Sequence, residues 1–566
     1  MKYRWISLIS VLALAAPAGA QSPYAQAVSQ PAQEQAEFKK LAPVQIGEYT
    51  FHRALLPNGV RALAVQDAGK GDANKETSER YTSLGTASVF VVIAAGNRDE
   101  STEATGLAHL TEHALYTGTA KTGADEHDRI VKKELNAESN AFTRDDYTLY
   151  YDHGIPASAL PRVLAMEADR MANLTFEKAA VMHERERLRI EEAHTWRPST
   201  TRQEQLESAV YRREGYRFGL RNAKGHTKAP GIELGPIQEF YRTYYRPDNA
   251  AVVVVTPNDP QQALKQIAAA FSGWEQPTKP MPNRVGEGEP LGARAAKFDS
   301  DLARDRVEFC WVVPPRTHQD SAAVALLARL MDRRETSAGE PFMVSYYERQ
   351  GSGMFTVAVT GEGAYKELEA LMADLAENGP SAEETANAVR EERDRFLNLP
   401  LRARPYFSLA ADMGRMAVYG EDEWIAGYHK RIDQAGADGL DRVIERWLSP
   451  KRRVVVHFSR SSEAVAEIEL PKDTAALATY AQEAMEGGEY QKAVVAYTEL
   501  LNRKPNKMNT VIYLYYRGSL HMDHKNYDEA IADFETALKV VDYPAVRDAL
   551  EEAKRLRDEA PGLRDK

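Results

Sequence analysis

Gly106-Leu107-Ala108-His109-Leu110-Thr111-Glu112-His113 is the stretch on which the reading of this chain turns. Apolar residues at 107, 108 and 110, continued by Ala114 and Leu115, predict a largely buried helix from about Thr105 to Tyr116. On a helix, positions i, i+3 and i+4 share one face, which puts His109, Glu112 and His113 together. Two imidazoles a turn apart meet the demand of a tetrahedral zinc site. Glu112 beside them is placed to take a proton from water activated by the metal. The rest of the helix is apolar, so these polar groups need partners, which argues against an ordinary solvated face.

A third ligand has to come from elsewhere. His183-Glu184-Arg185-Glu186-Arg187-Leu188-Arg189-Ile190-Glu191-Glu192 predicts an acidic helix. Glu184 and Glu191 lie seven apart, stacked on one face, and His183 and His194 are further candidates. Around these two helices, strands and helices interleave. Tyr49–Leu56 and Val60–Gln66 flank an Asn58-Gly59 turn and predict a hairpin. Ala87–Ala95 predicts a central strand, and Thr148–Tyr151 and Ala250–Thr256 predict two more. Helices are expected over Ala157–Asn173 and Phe176–His194. This makes an α+β domain over 43–275.

Residues 276–294 are dense in Pro and Gly and predict a linker. A second segment, 295–460, repeats the order of strands then helices, with strands at Arg306–Val313, Met354–Thr360 and Arg453–Phe458. Cys310, the single cysteine, excludes an internal disulfide and is expected buried in the first of these strands.

With the order His-x-x-Glu-His on the page, the chain resembles the pitrilysin/insulinase family of inverted-motif zinc peptidases. The flanking Gly106-Leu107-Ala108, the later Gly118-Thr119, Leu56-Pro57-Asn58-Gly59 and Tyr244-Tyr245-Arg246-Pro247-Asp248-Asn249 are similar to that family too. The resemblance assigns His109, His113 and Glu191 to the metal, with Glu192 the alternative to Glu191. It makes Glu112 the general base and Glu184 a further acidic group of the catalytic site. Asn140-Ala141-Phe142-Thr143, with Asp146-Tyr147-Thr148 and Tyr150, looks like the family's edge strand. There, Asn140, Ala141 and Phe142 would pair with the substrate backbone.

What this implies is a Zn2+-dependent endopeptidase acting on peptides or unfolded polypeptides. Over about residues 45–460 it would have two similar α+β domains, one half of a peptide-enclosing clamshell. In the family, the other half supplies an Arg and a Tyr that help bind substrate. Here Leu330–Phe355 is shortened, and Arg349 and Tyr347 stand in another order and spacing. The expected assembly is a homodimer, or a heterodimer with a related chain. The rival expectation is a non-catalytic scaffold that keeps the shell.

The two ends differ from the middle. Lys2 and Arg4 precede an apolar run, Trp5–Ala16, then Ala18-Gly19-Ala20, which predicts a signal peptide over 1–20 and export to a bacterial periplasm. The run is shorter than the ~20 residues that span a bilayer. Residues 21–42 predict a flexible leader. Near the other end, Tyr490, Ala493 and Tyr497 are echoed 37 residues later by Tyr527, Ala530 and Phe534. This resembles tetratricopeptide repeats and predicts an all-α module over 473–566, a surface where a protein partner could dock. The net charge of −11 argues against nucleic acid as the main partner.

Overall fold

The computed structural model describes residues 37–67, 85–101, 104–195, 198–212, 232–284, 287, 292–300, 302, 304–397, 408–460, 470–524, 526–541 and 543–559; the side chains of 189–201 are not among those described. Residues 1–20, expected to be a signal peptide, and residues 21–36 of the expected leader lie outside these residues. No described helix is long and apolar enough to cross a membrane.

The first sheet has seven strands in the order β1-β2-β3-β7-β4-β6-β5. They are β1 (Lys39–Ile46), β2 (Tyr49–Leu55), β3 (Arg61–Gln66), β4 (Thr86–Ile93), β5 (Glu138–Thr143), β6 (Thr148–Pro156) and β7 (Ala250–Thr256). The Asn58-Gly59 hairpin forms as the turn residues demand, and Val-rich β4 and β7 pair at the centre, fully buried. One expectation fails here. β1 begins at Lys39, inside the stretch whose composition predicts a flexible leader. Only Val44 and Ile46 of this edge strand are buried, so it has almost no apolar period to read.

The second sheet has five strands in the order β10-β11-β9-β12-β8, namely β8 (Arg294–Ser300), β9 (Arg306–Val313), β10 (Met343–Tyr347), β11 (Gly353–Thr360) and β12 (Val454–Arg460). β8 and β10 have no counterpart in the sequence-based expectation. β8 is mostly polar and half-exposed, and β10 is only five residues long. Cys310 is buried in β9 as expected.

The two sheets repeat one plan. β3 pairs parallel with β7, which pairs antiparallel with β4, then β6, then β5. β8 pairs parallel with β12, which pairs antiparallel with β9, then β11, then β10. The helices repeat it too. α1 (Leu107–Ala114) follows β4, while α2 (Leu160–Ala172), α3 (Lys178–Thr195) and α4 (Pro198–Val210) follow β6. α5 (Leu234–Tyr244) leads into β7, and α6 (Pro260–Phe271) follows it. In the second half α7 (Ser321–Met331) follows β9. Then α8 (Ala364–Asn378), α9 (Ala382–Leu397) and α10 (Leu409–Ala417) follow β11, ahead of α11 (Asp422–Ala426) and α12 (Tyr428–Arg446).

The third helix after each hairpin crosses over. α4 lays Leu206 and Val210, with Tyr211 just after it, on Cys310, Val312, Met354 and Val456 of the second sheet. α10 packs on β4 and β7 of the first sheet, in one core that also contains Phe51, Phe90 and Val253. Gly414 is what permits that approach. A Cβ there would sit 2.9 Å from a methyl of Val92 and 3.1 Å from one of Val253. Each half therefore closes the other's apolar face.

The C-terminal residues form α13 (Thr474–Glu486), α14 (Tyr490–Asn502), α15 (Lys507–Asp523), α16 (Tyr527–Val540) and α17 (Pro544–Glu559), two helical hairpins and a final helix. Ala493 with Tyr497, and Ala530 with Phe534, fill two successive apolar clusters. The 37-residue echo thus marks equivalent inward-facing positions of α14 and α16. Gly518 on α15 lies against the Phe534 ring, where a Cβ would come within 2.6 Å.

Candidate active site

α1 is held on all sides but one. Leu107, Ala108, Leu110 and Ala114 are buried, with the helix packed on α3, α5 and β5. Gly106, at φ 84°, turns the chain into the helix. The buried Glu100 carboxylate accepts from the backbone N–H of Gly106 at 2.9 Å and of Ala108 at 2.8 Å. It satisfies donors left open by the first turn and places a negative charge at the positive end of the helix. Glu100 lies six residues before Gly106 in a loop, and no pattern in the sequence marks it.

The remaining face carries the chemistry. The rings of His109 and His113 are edge-to-face with centroids 5.0 Å apart. His113 Nδ1 lies 3.2 Å from Oε2 of Glu184, which α3 carries. Glu184 also accepts from Arg187 at 2.8 Å. Burial pushes the Glu184 carboxyl up, but His113 and Arg187 outweigh it and hold the group below its ordinary range, as a carboxylate. With Nδ1 turned to Glu184, Nε2 is the nitrogen of His113 that can ligate. Such a carboxylate commonly fixes the tautomer and orientation of a metal-binding imidazole. The donor set therefore fits zinc.

Glu112 is buried and accepts from Thr143 Oγ1 at 2.6 Å. Thr143 ends β5, the outermost strand of the sheet, and Asn140, Ala141 and Phe142 precede it, opposite Tyr151, Tyr150 and Leu149 of β6. The catalytic-helix residues, Glu184 and the edge strand are thus brought together. Glu191 and Glu192 lie on α3, further along than Glu184, and their side chains fall outside those described. Behind Tyr116, His127 Nε2 sits 3.2 Å from Asp152 and 3.3 Å from Glu167, which pairs with Arg170. Burial lifts the Glu167 carboxyl to about 7. No pattern in the sequence marks this cluster, since its four members lie between 127 and 170 without a common spacing.

Arg349 and Tyr347 have other employment. Arg349 is buried and donates to Asp145 at 2.6 Å and to Glu207 and Tyr211 at 2.7 and 2.8 Å. Tyr347 donates to Gln203. Asp145 and Asp146 form the turn between β5 and β6. Gln350 N–H and the Tyr419 hydroxyl, both from the second half, also donate to Asp146. The second half therefore clamps the hairpin that carries the edge strand. The Tyr244–Asn249 segment is likewise structural: Asn249 donates to Ala94 and Tyr244 carbonyls, and Arg246 pairs with Asp248.

A glutamate between two histidines on a buried helix, on a sheet repeated later without them, is the layout of the inverted-motif zinc peptidases. The chain belongs to the insulinase family, peptidase family M16. The family described as "Insulinase (Peptidase family M16)" matches residues 77–224, "Peptidase M16 inactive domain" matches 232–392, and "Tetratricopeptide repeat" matches 511–541. The chain is 27% identical over 272 residues to the zinc protease PqqE of Helicobacter pylori, 45% of this chain and 57% of that one. It is 22% identical to the zinc protease YmxG of Bacillus subtilis, over 64% of this chain and 90% of that one. To the mitochondrial-processing peptidase subunit beta of Dictyostelium discoideum it is 23% identical, over 38% and 43%. The matches thus span only 57% and 43% of the Helicobacter and Dictyostelium relatives. Among solved structures, a protease from Helicobacter pylori superimposes with a TM-score of 0.58 at 20% identity, over 72% of this chain and 99% of that one. Pitrilysin does so at 0.57 and 15%, over 75% of this chain and 47% of its own.

Proposed function

We propose that the chain is an exported, zinc-dependent endopeptidase that cleaves peptides or unfolded polypeptides. The observation that carries this is the face of α1, where His109 and His113 stand a turn apart, Glu112 lies between them, and Glu184 orients His113. His109, His113 and Glu191 would hold the metal. When bound, zinc would polarise the scissile carbonyl and acidify water. Glu112 takes the proton from the attacking water and passes it to the leaving amine, and Thr143 holds its carboxylate in place. A substrate strand adds to the outer edge of β5, paired to Asn140, Ala141 and Phe142.

Arg349 and Tyr347 are committed to contacts between the two halves, so these two residues are not offered to a facing site. That favours activity in a dimer whose partner is a related chain bearing such a pair, with the helical repeats free to dock another protein. Bound zinc, measured with peptide hydrolysis before and after chelation, tests the reading. A chain that binds one zinc and hydrolyses peptides only with it supports the peptidase; zinc binding without hydrolysis in any partner's presence leaves the scaffold. Glu191→Gln is expected to deplete zinc and Glu192→Gln to leave it. The reverse moves the third ligand by one residue.

A further inference from the structure

The repeated plan places α7, β10 and α9 where α1, β5 and α3 stand in the first half: α7 packs on β10 and α9 as α1 packs on β5 and α3. Even the central polar contact has a counterpart. Where His113 meets Glu184 at 3.2 Å, Arg329 of α7 meets the buried Glu392 of α9 at 3.2 Å. Metal chemistry has gone, but the space has not. A cavity of about 360 Å³ lies there, walled by α7, β10, α9, α10 and α11. At ~30 Å³ per liquid water it is roomy enough for a free amino acid.

Some donors of its lining have no acceptor in reach. The Tyr346 hydroxyl is buried without a hydrogen-bond partner, and so is Arg415 Nε, although Arg415 Nη2 pairs with Asp412 at 2.9 Å. Arg316, 4% exposed, pairs with Glu348 through Nε but spends Nη1 on the thioether of Met416, a weak acceptor. The lining also has an apolar part, with Phe396 and Trp424 packed on Tyr428. Four arginines and four carboxylates line the cavity. A neutral lining of this kind disfavours a multiply charged anion and suits one carboxylate joined to an apolar group.

We propose that this cavity is a binding site for a small carboxylate with an aromatic or branched apolar side chain, either a free amino acid or the C-terminal residue of a short peptide. The carboxylate accepts from Tyr346, Arg316 and Arg415, and the side chain lies against Phe396 and Trp424.

Calorimetry on the full chain tests it with L-phenylalanine, Gly-Phe, L-phenylalaninamide and inorganic phosphate. Phenylalanine or Gly-Phe is expected to bind, phenylalaninamide at least about ten-fold more weakly because a charge-assisted contact is lost, and phosphate not at all. Preference for phenylalanine identifies the free amino acid, and preference for Gly-Phe identifies the chain end. Tyr346→Phe, which keeps the ring, is expected to weaken binding several-fold, and Ala328→Trp to abolish it by filling the space. Equal binding of acid and amide, unchanged binding in Tyr346→Phe, binding that survives in folded Ala328→Trp, or no binding at millimolar ligand each overturns the proposal. If Ala328→Trp does not fold, the Tyr346→Phe comparison decides alone.

Discussion

The two sheet domains share strand order, strand polarity and the placement of their helices, yet one carries His109, Glu112 and His113 and the other, on α7, Ala325, Ala328 and Arg329 in the corresponding stretch. The buried strands are alike because the five strands the two sheets have in common are covered on both faces at the centre and admit mostly apolar residues. The sites diverge because a site rests on a few side chains that packing does not dictate. Fold and chemistry are thus separable inside one chain. The second domain keeps a structural task, since Arg349, Gln350 and Tyr419 hold the turn beside the first domain's edge strand.

The sharpest way to break this contrast is Glu112→Gln. It should keep bound zinc and lower turnover by about 10³-fold, the scale of a lost general base. Near wild-type turnover would remove Glu112 from the chemistry. Arg349→Met comes next. It leaves Glu207 buried without its cation, so thermal or denaturant unfolding should report a loss of about 3 kcal/mol. Hydrogen exchange should rise at 144–146 and along β5. Unchanged exchange would mean that the second domain does not steady the edge strand. Glu184→Gln should weaken zinc binding by about ten-fold, since it alters the partner of a ligating imidazole rather than a ligand. A chain ended after residue 470 should show the smallest effect. α13 to α17 fill their own clusters, so zinc content and unfolding of the remainder should stay as they were.

What was legible in the sequence follows the same division. β4, β7 and β9 announced themselves by continuous apolar runs, and the β2-β3 hairpin by Asn58-Gly59. The helix bearing His109 and His113 was legible because spacing and residue type coincide. β1, β8 and β10 were not, since edge strands with one covered face carry little apolar signal. Glu100, the Arg349 contacts and the His127–Asp152–Glu167–Arg170 cluster join residues distant in sequence, and local patterns hold no trace of such pairings. The crossing of α4 and α10 was illegible for that reason as well. Nothing in either segment says which sheet it covers, and Pro198–Val210 has little apolar periodicity of its own.

That crossing bears on how the chain could be cut. A single nick between Ser272 and Arg294 separates the two halves in sequence but not in space, because α4 stays on the far sheet and α10 on the near one. Expressed alone, either half would present a bare apolar sheet face to water and would be prone to aggregate. Expressed together, they carry all that is needed to reassemble, so the peptidase shell is a natural candidate for a split reporter whose fragments find each other through exchanged helices.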